Sequence, residues 1–151
     1  MLKRDWWRYY DVLPEVGSML ISVDAAFKDE DDSDYVVCQV WGRNGPNVYL
    51  IDQVRARMNF PATLQTIRNL TKKYPKAALK LIEDKANGSA VIQTLEREIP
   101  GIIAVNPEGG KVARVNAVSA FIEAGNVYLP RHAEWVHDFV EECASFPKGA
   151  N

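Results

Sequence analysis

Three acidic side chains follow short apolar runs at two separate places in the sequence. Asp24 comes directly after residues 19–23 (MLISV), and Glu83 and Asp84 come directly after residues 77–82 (AALKLI). Both runs are typical of strands that are buried on both faces. Because ligands usually bind at the carboxyl ends of strands in an open α/β sheet, these carboxylates could meet there. Oxygen ligands suit Mg²⁺ or Mn²⁺, although acidic residues after strands are also common in turns that bind nothing.

The elements that would hold these acids begin with three strands. Residues 19–23, 35–41 (YVVCQVW) and 47–54 (NVYLIDQV) are rich in β-branched and aromatic side chains. Residues 42–46 contain two Gly, an Asn and a Pro, which is typical of a turn. The three strands are therefore predicted to form an antiparallel meander.

The period then changes from strand to helix. Leu64, Ile67 and Leu70 follow one another at three-residue spacing in a predicted amphipathic helix over residues 61–74. The pattern after it alternates between the two kinds of element: strands over 77–82 and 101–105, an extended piece over 127–129, and helices over 89–98, 111–124 and 132–144. This order predicts an α/β fold, a mixed sheet flanked by helices.

Residues 1–17 stand apart from this pattern. They contain Trp6, Trp7, Tyr9 and Tyr10 without a clear period. Such an aromatic segment packs either on a neighbouring domain or on the core of its own chain.

Several strings resemble, in order, the C-terminal nuclease domain of tailed-phage large terminase subunits, which has the ribonuclease H-like fold. Residues 21–28 (ISVDAAFK) with 33–35 (SDY) resemble its first acidic motif, and residues 81–88 (LIEDKANG) resemble its second. Three later stretches follow in the same order: 111–115 (KVARV), 121–130 (FIEAGNVYLP) and 146–149 (FPKG).

The resemblance implies a metal-dependent endonuclease domain that cuts concatemeric double-stranded DNA during genome packaging. It implies Asp24 as one metal ligand and either Glu83 or Asp84 as another. Adjacent residues of a regular strand point to opposite faces, and the spacing to Gly88 favours Glu83. In such a site two Mg²⁺ or Mn²⁺ ions about 3.5–4 Å apart would activate a water and stabilise the leaving oxygen. The implied partners are double-stranded DNA, the terminase ATPase domain, the small terminase subunit and the portal, all in the host cell cytoplasm.

The sequence also departs from the family pattern. The third acidic motif of these domains follows the Phe-Pro-x-Gly string, and no residue up to Asn151 can be assigned to it. We therefore expect a C-terminally incomplete nuclease domain over residues 18–151, with little or no activity by itself. Residues 1–17 would be an extension toward a missing N-terminal ATPase domain. ATP binding by this chain is not expected, because it has no GxxxxGK[ST] loop.

Four further residues are candidates for the site. Asp34 lies in an acidic stretch and is predicted to assist metal binding, the alternative being a solvated loop. Lys85 directly follows the acids Glu83 and Asp84, where a phosphate contact is the alternative to an ordinary surface lysine. Lys111 and Arg114 lie near the start of a predicted helix, where cations oppose the helix dipole, which favours DNA or a partner carboxylate.

A second group of cations is more ambiguous. Lys72, Lys73, Lys76 and Lys80 are clustered in sequence and could follow a DNA backbone, although such clusters are usually a solvated face.

Composition excludes several classes of protein. The 151 residues fit one domain, with 47% hydrophobic and 25% charged residues, as in a folded globular chain. No apolar run approaches the roughly 20 residues that span a bilayer, so no membrane association is expected. The two cysteines form no CxxC, which argues against a zinc ribbon. With 18 Lys+Arg and 20 Asp+Glu the net charge is −2, so DNA binding would depend on a local patch or a partner.

Two alternatives remain open at the level of sequence. One is a non-catalytic prophage remnant of the same fold that only binds DNA or a partner protein. The other is a different ribonuclease H-like nuclease of the resolvase or transposase type, against which the strings at residues 83–88 and 121–130 argue.

Overall fold

The computed structural model of the chain describes residues 1–25, 35–85 and 87–147. The strands are β1 (Arg8–Tyr10), β2 (Ser18–Asp24), β3 (Tyr35–Asn44), β4 (Asn47–Arg57), β5 (Ala77–Glu83), β6 (Ile102–Val105) and β7 (Val127–Pro130). The helices are α1 (Phe60–Lys73), α2 (Asn87–Leu95), α3 (Lys111–Glu123) and α4 (Val136–Ser145).

The strands form a seven-stranded mixed sheet in the order β1-β7-β4-β3-β2-β5-β6. Four neighbouring pairs are parallel: β1 with β7, β7 with β4, β2 with β5, and β5 with β6. A two-residue turn joins β3 to β4, and only antiparallel neighbours can share so short a connection. The N–H of Gly17 donates to the carbonyl of Arg43 at 2.8 Å, so the start of β2 lies beside the end of β3 and these strands are antiparallel as well. The predicted mixed α/β sheet with an antiparallel start is confirmed.

The chain divides into two compact units, and the second contains residues 18–42 and 52–107. Strict alternation along β3 places Val36, Cys38 and Val40 on its buried face. In the same unit β5 lies between β2 and β6. Helix α1 begins where the side chain of Asn59 accepts a hydrogen bond from the N–H of Ala62 at 2.9 Å.

The first unit contains residues 1–17, 43–51 and 108–151. Strand β1 pairs with β7, so part of the N-terminal segment joins the sheet. Trp7 is buried, and its ring contacts that of Phe139 edge-on with 5.4 Å between centroids. Of the two alternatives for the aromatic segment, packing on the core of its own chain is therefore observed for Trp7.

Helix α3 forms where the sequence predicts a helix, but most of its apolar side chains are not buried. Its apolar positions include Val112, Val118 and Ile122, but only Ile122 is buried, and the two valines are each 46% exposed. Apolar positions in a helical sequence do not by themselves show whether a neighbouring element covers them.

Candidate functional site

The site begins with the register between the parallel strands β2 and β5. Ser22 pairs with Leu81 and Val23 pairs with Ile82, and each strand ends at the next residue. Those next residues are Asp24 and Glu83. Extending the register by one step therefore places these two carboxylates side by side on neighbouring strands, which lie about 4.8 Å apart in any sheet.

Both carboxylates point to the less buried side of their strands. Val23 and Ile82, one position earlier, are 4% and 0% exposed and face the core. Because side chains alternate along a strand, Asp24 and Glu83 face the other way. Asp24 is exposed and Glu83 is partly exposed, so both are accessible to a ligand from solvent.

Asp84 is held differently from Glu83. Its N–H donates to the carbonyl of Val105 at 2.8 Å, which continues the backbone pairing of β5 with β6 by one residue. Its carboxylate accepts a hydrogen bond from the hydroxyl of Ser89, in the first turn of α2. Asp84 thus links the end of β5 to the start of α2.

The connection from β5 to α2 is tight, and Gly88 makes it possible. A Cβ built on Gly88 would lie 1.9 Å from the carbonyl oxygen of Glu83, far inside contact distance. The N–H of Gly88 donates to the carbonyl of Lys85, and the N–H of Lys85 donates to that of Glu83, both at 3.0 Å. The backbone of Glu83 is therefore packed directly against the helix that follows it.

The charge of Asp24 reaches Cys38 on the neighbouring strand β3. Cys38 is completely buried, and its burial together with the nearby Asp24 carboxylate raises the pKa of the thiol to about 12. Asp24 also engages other groups. Cys38 is consequently a neutral thiol beside the candidate site at ordinary pH.

Of the other four predicted site residues, the structure describes Lys85, Lys111 and Arg114. Lys85 is exposed in the connection after Glu83 and Asp84. Lys111 and Arg114 lie in α3 of the first unit, whereas the acidic residues lie in the second. Asp34 lies outside the described residues, as do several residues of the terminase-like strings at 26–34, 86 and 148–151.

The lysine cluster predicted as a possible DNA contact is not a uniform exposed face. Lys80 is only 4% exposed, and its ammonium donates to the carbonyl of Pro100 at 3.1 Å. Burial lowers the pKa of Lys80. Lys73 lies 3.1 Å from the carboxylate of Asp52. The hypothesis is wrong for Lys80, because alternation along β5 turns that side chain inward.

The sequence did not identify Arg55 and Arg57, in the second unit, as candidate functional residues. The guanidinium carbons of Arg55 and Arg57 lie 3.9 and 5.2 Å from the ring centroid of Tyr35. The predicted strand ends at residue 54, whereas β4 continues to Arg57, and only in this longer strand does the two-residue spacing place both arginines on one face.

The acidic residues provide the type of ligand that a hard divalent cation prefers. The number of such ligands aligned at this site in the described residues is two. Carboxylate oxygens are the ligands that Mg²⁺ and Mn²⁺ prefer, and Mg²⁺ usually retains several waters beside one or two carboxylates. Across residues 1–25, 35–85 and 87–147, no group of three or more His, Cys, Asp or Glu side chains is arranged to hold a metal ion. The described site thus offers the pair Asp24 and Glu83.

None of the helices in the described ranges has the length and apolarity to cross a membrane.

Comparison with known proteins gives one family match. Residues 21–151 match the family described as the Terminase RNaseH-like domain. No curated protein sequence matches the chain at a significant level.

Solved structures with a similar fold include three from bacteriophages. The large terminase of a thermophilic bacteriophage, in complex with ATP-γ-S, has a TM-score of 0.71 at 8% identity, over 92% of this chain and 36% of that one. The large terminase nuclease of the thermophilic phage G20c with bound zinc has a TM-score of 0.66 at 14% identity, over 96% and 86% of the two chains. The large terminase nuclease domain of bacteriophage SPP1 with bound Mn has a TM-score of 0.63 at 11% identity, over 93% and 80%.

The present chain thus spans about a third of the length of the large terminase solved with ATP-γ-S, and most of the length of the two separate nuclease chains.

Proposed function

The chain belongs to the Terminase RNaseH-like domain family, and we propose that it is the nuclease domain of a phage large terminase subunit. Its proposed reaction is the metal-dependent hydrolysis of phosphodiester bonds in concatemeric double-stranded DNA during genome packaging. The metal-bound structures of the G20c and SPP1 nucleases, which share its fold, support the use of a divalent cation.

The observation that carries this proposal is the alignment of Asp24 with Glu83. Their strands are parallel and in register up to the preceding residue, so both carboxylates leave the sheet at the same edge and on the less buried side. Two carboxylates held so close repel each other unless a cation neutralises them. A bound cation therefore explains two adjacent carboxylates at this point better than a general preference for polar residues at strand ends does.

The proposed metal ligands are Asp24 and Glu83. When bound, Mg²⁺ or Mn²⁺ supplies the Lewis acidity that phosphodiester hydrolysis requires. Asp24 and Glu83 would hold it as ionised carboxylates, while Gly88 lets α2 approach and position the backbone of Glu83.

Asp84 is less suited than Glu83 to bind the same ion, because its carboxylate accepts the hydroxyl of Ser89. Asp34 and Asp84 are proposed as additional donors if a second ion binds. Lys85, Lys111 and Arg114 are proposed to contact DNA phosphates.

The proposed setting is the intact packaging machine in the host cytoplasm. The thermophilic-phage large terminase that was solved with ATP-γ-S is nearly three times as long as the part of it that this chain covers. This supports an ATPase domain as the physical partner of the nuclease. The small terminase subunit and the portal are proposed as further partners.

Metal binding and DNA nicking together test the proposal. Mn²⁺ binding is measured by calorimetry, and nicking is followed on supercoiled plasmid with Mn²⁺ or with EDTA. We expect Asp24→Asn and Glu83→Gln each to weaken Mn²⁺ binding at least about tenfold, because each removes a charged ligand from a two-carboxylate site. Asp84→Asn is the matched comparison and is expected to weaken Mn²⁺ binding less than Glu83→Gln, because the Asp84 carboxylate already accepts a hydrogen bond from Ser89.

Two results would contradict the assignment. The first is nicking by Asp24→Asn at the rate of the parent chain, which would mean that the cutting is a contaminant or uses another site. The second is a parent chain whose Mn²⁺ affinity does not change in Asp24→Asn or Glu83→Gln. If Asp84→Asn lost more Mn²⁺ affinity than Glu83→Gln, Asp84 would be the metal ligand in place of Glu83.

A further inference from the structure

Two arginines near the end of β4 share a single aromatic ring. Arg55 and Arg57 lie two residues apart, and their guanidinium groups lie 3.9 and 5.2 Å from the centre of the Tyr35 ring. All three side chains are exposed, with Tyr35 at 41%. We call these three residues the Arg–Tyr cluster. Guanidinium–ring stacking of this kind holds an arginine in place without neutralising its charge.

The topology puts the Arg–Tyr cluster at the same edge of the sheet as the acidic pair. Strand β2 ends at Asp24, and β3, its antiparallel neighbour, begins at Tyr35. Strand β4 is antiparallel to β3, so its final residues, Arg55 to Arg57, lie beside the first residues of β3. Across this edge the order is therefore the arginines of β4, Tyr35 of β3, Asp24 of β2 and Glu83 of β5.

Tyr35, Asp24 and Glu83 each point to the less buried side of their own strand. The buried face of β3 is formed by its even-numbered residues, so Tyr35 points to the less buried side. Asp24 and Glu83 also point to the less buried side of their strands. Positive and negative side chains are thus presented at the same end of the second unit, two to three strand spacings apart.

The separation suits a nucleic-acid backbone. Neighbouring strands are about 4.8 Å apart, so two to three strand spacings separate the arginines from the acidic pair, or roughly 10–14 Å. Phosphates follow one another every 3.4 Å along the axis for each DNA strand, so this span corresponds to roughly three or four phosphates. A DNA strand that passes the acidic pair would therefore bring neighbouring phosphates to the arginines.

We propose that the Arg–Tyr cluster binds the phosphate backbone of duplex DNA a few nucleotides away from the bond that is cut. This inference rests on the proposed nuclease function and adds the surface that holds the substrate. Arg55 and Arg57 engage other groups as well, so phosphates would compete with those partners. With a net charge of −2, the chain would need a local cluster of this kind to contact DNA phosphates.

DNA binding without cleavage tests this inference separately from the nuclease activity. Binding of the chain to a fluorescent duplex of about 30 base pairs is followed by anisotropy in EDTA, over a series of salt concentrations. We expect the double variant Arg55→Gln/Arg57→Gln to bind about tenfold or more weakly. The slope of log K against log salt should become shallower by about two, one for each lost phosphate contact.

The matched control is Lys76→Gln/Arg97→Gln, which removes the same charge from the opposite end of the same unit. Both residues are exposed; Lys76 precedes β5 and Arg97 follows α2. This control variant should change the affinity for duplex DNA less than about threefold and leave the salt slope nearly unchanged. Tyr35→Phe should bind like the parent, because the ring is kept, whereas Tyr35→Leu should bind more weakly.

The outcomes test DNA binding by the Arg–Tyr cluster separately from the proposed metal site. Three results would overturn the role of the cluster. They are an equal loss of DNA affinity in the two double variants, an unchanged salt slope in Arg55→Gln/Arg57→Gln, and no salt-dependent DNA binding by the parent chain. A binding defect confined to Arg55→Gln/Arg57→Gln supports it, provided that circular dichroism shows an unchanged fold. Asp24→Asn should still bind DNA in EDTA, so a failure of the metal site leaves the result for the cluster intact.

Discussion

Single residues at the candidate site differ in role even where they are neighbours in sequence. Glu83 extends the register of β5 and aligns with Asp24, whereas Asp84 pairs with Ser89 at the start of α2. Alternation along a strand is sufficient to separate two adjacent acids in this way. Alternation also puts Cys38 on the buried side of β3, where the charge of Asp24 affects it.

Cys38 leads to a prediction about pH. Its pKa in the folded chain is about 12, against an ordinary value of 9.0, so the folded state keeps a proton that the unfolded state loses above pH 9. The stability that this group contributes is therefore complete below pH 9 and falls as pH rises toward 12, by about 1.4 kcal/mol per pH unit. Between pH 8 and pH 10 the parent chain should lose about 1.4 kcal/mol more than Cys38→Ala. Urea unfolding at the two pH values measures this, and equal losses in both proteins would show that Cys38 is not the cause.

At the scale of elements, the site depends on how closely α2 follows β5. Helix propensity alone predicts that alanine stabilises a helix relative to glycine, by about 1 kcal/mol. Gly88 lies in α2, but a Cβ there would meet a backbone oxygen that cannot rotate away. The geometry of the connection therefore overrides propensity at this position.

Gly88→Ala is accordingly expected to lower the free energy of unfolding by about 1–3 kcal/mol, as overpacking does. It should also weaken Mn²⁺ binding, because the backbone of Glu83 must move to accommodate the methyl group. Gly110→Ala is the control: a Cβ there meets nothing within 4 Å, so its cost should stay within about 1 kcal/mol. Urea unfolding and calorimetry measure the two effects. A Gly88→Ala chain that is more stable than the parent would show that the contact with Glu83 is relieved without cost.

At the scale of the molecule, the N-terminal segment is part of the first unit. Strand β1 pairs with β7, and the hydroxyl of Tyr10 donates to the carbonyl of Leu50 at 2.7 Å. The guanidinium of Arg4 makes two hydrogen bonds to the carboxylate of Glu141, at 2.7 and 2.9 Å. These contacts give residues 1–17 a structural role, whether or not they also lead to an ATPase domain, which stays a prediction.

The two adjacent tryptophans of this segment test that role. Trp7 is 6% exposed and packs on Phe139, so Trp7→Ala should cost about 3–5 kcal/mol of unfolding free energy. The loss of unfolding free energy should be near the lower end of this range. The buried indole N–H of Trp7 has no hydrogen-bond partner in the described residues, so its removal also removes an unsatisfied polar group. Trp6 is only partly buried, and Trp6→Ala should cost less than half as much. Chemical denaturation followed by circular dichroism compares them; similar costs would mean that burial of Trp7 does not anchor the segment.

The sequence by itself determined the order of the main strands and helices, because the period of apolar residues is a local property of the chain. It also located the acidic strand ends and the strings that indicate the family, since both are contiguous. It did not reveal β1, a three-residue strand whose aromatic sequence has no clear period and whose partner is more than a hundred residues away.

Only the tertiary structure decided which side chains meet. The pairing of β2 with β5 aligns Asp24 with Glu83 across about sixty residues of chain, and that register depends on long-range packing. The same holds for the burial of Lys80 and for the place of the arginines beside Tyr35. Spacing along a chain shows what an element presents on each face, whereas the neighbour that a face meets is set by the folded sheet.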